Sequence, residues 1–151
     1  MDTTDSIKAL LADLFRIQNF AVLATVCGDE PYTNIVAFTA SDDLKYIVFA
    51  TPRNTKKYSN ITMNSNVSLF IDNRSNSDSD VFDAVGVTVK GRGEPVSAGM
   101  ISSMAAKYRR EHPALSSFSE SPESSFVRIS VEEYCVVQRF QDVRVLPVQS
   151  L

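Results

Sequence analysis

The chain has 151 residues, 44% of them hydrophobic, which suits a single packed domain over 1–151. Its 15 Lys and Arg stand against 18 Asp and Glu, a formal charge of −3, so no overall basic field draws it to nucleic acid or to an anionic membrane, and any anion site has to be local. No apolar run approaches the roughly 20 residues needed to cross a bilayer. The opening MDTTDSIKALLADLF also lacks the order of a secretory signal, so a cytoplasmic protein is expected.

Asp5 or Ser6 is placed to cap a first helix, in which Ile7, Leu10, Leu11, Leu14 and Phe15 recur on one apolar face. Short runs rich in Val, Ile, Phe and Thr follow, and strands are predicted near residues 20–27, 32–40 and 44–51. Gly28 and Asp29 suit a tight turn, as do Ser41, Asp42 and Asp43. Cys27 and Cys135 stand outside any disulfide or metal spacing and are read as reduced, mostly buried thiols.

Further along, NVSLFIDN reads as a strand and RSNSDSD as an exposed loop free to move. In AVGVTVKGRG, Val85, Val87 and Val89 alternate with Gly86, Thr88 and Lys90, the pattern of a long strand with one buried face. Helical spacing of Met100, Ile101, Met104 and Tyr108 runs from Ser97 to Arg110 and ends before Pro113. The Ser-rich SSFSESPESS reads as a flexible connection, and FVRISV and EYCVVQRF as two last strands. Six or seven strands with two or three flanking helices, and no regular crossover helix between strands, argue for a mainly β, antiparallel barrel. A doubly wound nucleotide fold is disfavoured, because neither GxGxxG nor GxxxxGK[ST] is present.

The most informative stretch is YIVFATPRNTKKYSNI, from Tyr46 to Ile61. Pro52 breaks a buried strand that ends at Thr51, and Asn54 or Thr55 is placed as the N-cap of a short helix. Lys56 and Lys57 then fall in the first helical turn, where the positive end of the helix dipole disfavours cations by roughly 0.3 to 1 kcal/mol each. A bound phosphate resolves the conflict, since backbone amides, the Thr55 hydroxyl and two ammonium groups would converge on one dianion, with Arg53 adding a fork. A solvated basic patch is the competing reading of the same three cations.

The order of these segments resembles the pyridoxamine 5'-phosphate oxidase-like FMN-binding split barrels over roughly residues 5–112. A leading helix is followed by two hairpin strands, a hydrophobic-Phe-Ala-Thr strand end at Phe49, Ala50 and Thr51, a Lys pair, and a helix running into MNSNVSLFI. The resemblance implies FMN as cofactor, a split β-barrel and a homodimer with each flavin at the subunit interface. It implies that Phe49, Ala50 and Thr51 belong to the cofactor site, Ala50 and Thr51 meeting the flavin phosphate or ribityl chain, and that Thr55, Lys56 and Lys57 hold the phosphate. By the same resemblance the backbone of Asn34, Ile35, Val36 and Ala37 lies along the isoalloxazine ring. Asn34 stands where true pyridoxamine phosphate oxidases carry Arg, and Gly86 stands where a family Gln would reach the flavin.

Flavin chemistry asks little of protein acid/base groups, in keeping with a chain that has one histidine. His112, just before Pro113, reads as a solvated imidazole at a helix end, and no histidine pair is available to a metal. Tyr58 reads as half-buried packing, and Arg139 and Arg144 as solvated cations on a terminal strand pair. No catalytic residue is singled out. The expected function is an FMN-binding oxidoreductase acting on a small substrate. The alternatives are a non-catalytic flavin carrier or sensor, and a relative of the same fold that holds deazaflavin or haem.

Overall fold

The computed structural model describes residues 3–151, beginning with α1 (Thr3–Ile17), which buries Ile7, Leu11 and Leu14 against the sheet. This helix starts ahead of both expected caps, so Asp5 falls within its first turn, where a carboxylate complements the positive helix end. β1 (Phe20–Cys27) and β2 (Glu30–Ala37) form the predicted hairpin, pairing from Phe20 with Ala37 to Cys27 with Glu30. Gly28 turns the chain at a φ of 64°, which glycine adopts without a steric cost.

Phe38 carries the chain directly from β2 into β3 (Thr39–Ala40), so the run at 32–40 is two strands rather than one. After β4 (Tyr46–Pro52) come α2 (Lys56–Met63), β5 (Asn66–Asp72), α3 (Asp80–Asp83) and β6 (Val85–Val96). A 3-10 turn at Ala98–Ile101 then leads into α4 (Ser102–Glu111), α5 (Ser116–Glu120), β7 (Ser124–Gln138) and β8 (Asp142–Pro147). All strand pairs are antiparallel, in the order β2-β1-β5-β6-β7-β4-β3. Because β2 and β3 are the two ends of that order yet adjacent in the chain, the sheet curls back on itself at Phe38 and makes a barrel. It is split along β7, whose free edge pairs with β4 over Ser124–Ser130 and with β8 over Glu133–Gln138.

The antiparallel split barrel is therefore as expected, with eight strands and five α-helices among the described residues instead of six or seven and two or three. FVRISV and EYCVVQRF are not two strands but the single 15-residue β7. Its pairing with β6 shifts between Lys90 and Gly91, and there a Cβ on Gly91 would lie 2.4 Å from the Ser130 carbonyl oxygen, which only glycine avoids. β8 went unpredicted because the turn before it carries no Gly or Pro: Arg139 and Phe140 take positive φ values of 53° and 59° instead. Arg139 is thus a turn residue, and Arg144 pairs with Asp142 at 3.6 Å within β8.

RSNSDSD is the exposed loop expected, its turn shaped by hydrogen bonds, whereas SSFSESPESS is no linker but folds into α5. In RSNSDSD the Asp80 carboxylate accepts the amides of Ser75, Asn76 and Ser77, bonds that hold its pKa below the usual carboxylate value. In SSFSESPESS, Ser119 is buried, donates to Ser116 O at 2.9 Å and accepts from Arg109 Nε at 3.2 Å. Neither thiol is buried: Cys27 is exposed at the hairpin end and Cys135 half-buried.

His112 is not solvated. It is 7% exposed, lies 4.9 Å ring to ring from Tyr108, and its Nε2 donates to Phe38 O at 2.7 Å. The end of α4 thereby grips the segment at which the barrel closes, since Thr39 Oγ1 donates to the Glu111 carboxylate and Lys107 Nζ donates to Ala40 O at 2.6 Å. The core has two parts, the barrel interior around Leu23, Ile47, Phe49, Leu69 and Tyr134, and a smaller cluster under α4 that includes Ala37, Ala50, Tyr108 and Phe126. No helix among the described residues is long and apolar enough to cross a membrane.

Candidate functional site

Thr51 is fully buried at the end of β4, and from there the chain makes a tight corner into α2. Thr51 Oγ1 and Thr55 Oγ1 are 3.0 Å apart and lie 3.0 and 2.9 Å from Pro52 O, which ties the strand end to the helix start. Thr55, rather than Asn54, is the N-cap, accepting the Tyr58 amide at 3.4 Å. The amides of Lys56 and Lys57, first and second in the helix, have no partner within it and point out of its open end. α2 is fixed against the barrel by buried Asn60, whose Nδ2 donates to Thr25 Oγ1 on β1 at 3.0 Å, and Tyr58 packs half-buried on the core as the sequence implies.

The two lysines differ. Lys56 is exposed and its Nζ lies 5.3 Å from the centre of the Tyr32 ring on β2. Lys57 is half-buried, and that desolvation alone pushes its ammonium below the ordinary lysine pKa. A cation drawn partly out of water gains from an anion that pairs with it, and the open amides of the same helix start would add donors to such an anion.

β2 passes alongside this corner, since Lys56 reaches Tyr32 and Ala37 shares a cluster with Ala50. Of the residues expected to line a cofactor, Asn34 is half-buried and its Oδ1 is a buried acceptor with no hydrogen-bond partner, of the kind that a ring N–H or a ribityl hydroxyl satisfies. Ile35 is 68% exposed on the outward face. Val36 and Phe49 point their side chains into the barrel interior, and Ala37 and Ala50 point theirs under α4, so these four can offer a ligand only backbone. Thr51, Thr55, Lys56 and Lys57 are brought together as one corner. Arg53 is not part of it: its amide donates to Glu123 O at 3.1 Å and its guanidinium to Pro122 O at 2.5 Å, on the far side of the linker. At Gly86 a Cβ would lie 2.9 Å from Phe70 Cζ, so an aromatic ring occupies the space that a longer side chain would take. Tyr32, Thr25 and Asn60 escaped the sequence reading, because nothing in the spacing of one strand announces which side chain a distant helix will meet.

The sequence matches the family described as Pyridoxamine 5'-phosphate oxidase over residues 7–138. Among solved structures, a haem-binding protein from Mycobacterium smegmatis has a TM-score of 0.83 at 14% identity, covering 99% of this chain and 60% of its own. General Stress Protein 26 from Bacillus anthracis str. Sterne has a TM-score of 0.73 at 21% identity, covering 93% and 98%. An FAD-binding protein from Mesorhizobium loti has a TM-score of 0.66 at 16% identity, covering 85% and 91%. At these identities the likeness is one of fold. Among curated proteins no sequence match was found.

Proposed function

Because the chain belongs to the pyridoxamine 5'-phosphate oxidase family, we propose that it binds FMN with the phosphate at the start of α2 and works as a homodimeric flavin-dependent oxidoreductase on a small substrate. The observation that carries this reading is the β4–α2 corner, where a helix capped by Thr55 opens with exposed Lys56 and partly desolvated Lys57 and leaves its first amides without intrahelical partners. Asn34 Oδ1, buried and unpartnered on the neighbouring strand, supplies an acceptor where the rest of the cofactor would run.

When bound, the flavin supplies the hydride or electron transfer. The chain's own work is to bind and orient. Lys56 and Lys57 neutralise the phosphate, Thr55 fixes the corner that aims the helix amides at it, and Asn60 on Thr25 prevents α2 from swinging away from the barrel. Val36 and Phe49, locked in the core, hold the β2 and β4 backbones rigid behind the ring.

A second copy of the chain is supported by the outward face of the sheet. Val22 pairs with Ile35 on one side and Phe70 on the other, and all three are exposed, as are Phe20, Val143 and Val145. An apolar face this broad is unusual for a monomer, and it includes β2, the strand expected along the flavin. Haem, which structural neighbours from Mycobacterium smegmatis and Vibrio cholerae bind or store, is the weaker reading here, because the ring Nε2 of His112 is buried and committed to Phe38 O rather than free to ligate iron.

The visible spectrum of the purified protein, with FMN titration and anaerobic addition of NADH or NADPH, tests the proposal. Oxidised-flavin bands that bleach with a nicotinamide donor are the expected outcome. A Soret band, or a colourless protein that rejects FMN, refutes it, and flavin that no donor or substrate reduces points to a carrier.

A further inference from the structure

The turning away of Arg53 has a destination. Arg53 lines a cleft of about 480 Å³ together with Arg109 of α4, the Ser-rich corner around α5, and an apolar floor of Val96 and Phe126 that are 5% and 2% exposed. We propose that this cleft is a second ligand site, for a small organic anion that carries one carboxylate or phosphate group on an apolar body.

The volume lies in the range of small-molecule sites, roughly 300 to 1,000 Å³. Arg109 is held in place rather than left to wave in solvent: its guanidinium carbon sits 5.6 Å from the centre of the Phe126 ring, and its Nε donates to Ser119 Oγ at 3.2 Å. A guanidinium has five N–H donors in a planar fork, and the edge left after Nε is engaged suits a bidentate acid group. Arg53 brings a second guanidinium from an unrelated segment, anchored through Pro122 O. The ionisable groups lining the cleft are these two cations and Glu120, a local positive excess in a chain whose net charge is −3.

Glu120 shows which chemistry the place accepts, since its carboxylate lies 3.5 Å from Arg109 Nε. A ligand with the same group would compete with it. The apolar requirement comes from Val96 and Phe126 below and from Met100, 65% exposed at the rim, whose flexible thioether can close over bodies of different shape. A helix-end ion pair between Arg109 and Glu120 explains neither the arrival of Arg53 nor the apolar floor. This cleft shares no residue with the Lys56–Lys57 corner, so the inference stands apart from the flavin reading.

Calorimetric titration of the full chain tests it, with phenyl phosphate and benzoate as probes and benzyl alcohol as the neutral control. Expected are binding of both anions, binding of benzyl alcohol weaker by roughly tenfold or more, and losses of roughly tenfold in Arg53→Ala and in Arg109→Ala. Glu120→Gln removes the internal competitor and should tighten phenyl phosphate several-fold, an effect that damage to the fold would not produce. FMN should not displace the probes. The proposal is overturned if neither anion binds, if Glu120→Gln and Arg53→Ala bind phenyl phosphate as the parent does, or if FMN competes. Inorganic phosphate binding as tightly as phenyl phosphate would remove the apolar body from the assignment.

Discussion

Replacing Lys57 by alanine should weaken FMN far more than replacing Lys56. Lys57 is half-buried and its charge is disfavoured by desolvation alone, so a hydrogen bond from it to a phosphate dianion meets less competition from water than one from exposed Lys56. A charge-assisted bond of this type contributes about 1.5 to 3 kcal/mol, which is roughly a 10- to 150-fold rise in Kd. Lys56 is exposed and already rests on the Tyr32 ring, so its loss should cost about 0.2 to 1 kcal/mol, at most roughly fivefold. Fluorescence titration with FMN measures both, and the same titration with riboflavin, which lacks the phosphate, should show no difference between parent and variants. Equal binding of FMN by parent and Lys57→Ala, or an equal loss for riboflavin, would refute the placement of the phosphate. The apo protein supplies a check on the cause. Burial lowers the folded-state pKa of Lys57 below the unfolded value, so the charged form penalises the fold at neutral pH and the penalty fades as pH rises toward 10.5. Lys57→Met should therefore raise the apo Tm at pH 7, by an amount that shrinks in alkaline buffer.

Gly91→Ala drives a Cβ to within 2.4 Å of a backbone oxygen at the β6–β7 irregularity and should destabilise the fold by about 1 to 3 kcal/mol in urea denaturation. Buried Tyr134 donates to Leu44 O at 2.5 Å, and desolvation raises its phenol pKa above the ordinary 10.0. Stability should thus be intact below about pH 10 and fall above it, as the unfolded chain ionises first, and Tyr134→Phe should cost about 0.5 to 1.5 kcal/mol at pH 7 while flattening that alkaline decline in thermal melts. If a second copy covers the apolar sheet face, Ile35→Glu with Phe70→Glu should shift the protein to monomer in sedimentation or light scattering without lowering its Tm by more than a few degrees.

Several elements were legible because their causes are local. The α1 stripe, the Gly28 turn, the alternation of β6 and the Thr55 cap each depend on residues within a turn or two of one another. Where a signal needed a distant partner, reading failed in specific ways. SSFSESPESS looks like a linker until Ser119 is seen to receive Arg109, and Arg53 looks like part of a phosphate fork until Pro122 claims it. The β7–β8 turn was missed for a different reason, since Arg139 and Phe140 adopt a backbone conformation that their residue types rarely take.

What the amino-acid order determined by itself was the set of amphipathic strands, the helix that opens with a lysine pair, and the conflict of those charges with the helix dipole, all of which follow from short-range periodicity and capping. Only the tertiary structure decided that Phe38 closes the barrel, that His112 is buried as its fastener, and that Lys57 is half withdrawn from water while Lys56 is not. Burial and hydrogen-bond partnership are properties of residues brought together from far apart in the chain, and periodicity along a single segment carries no record of which segment will lie across from it.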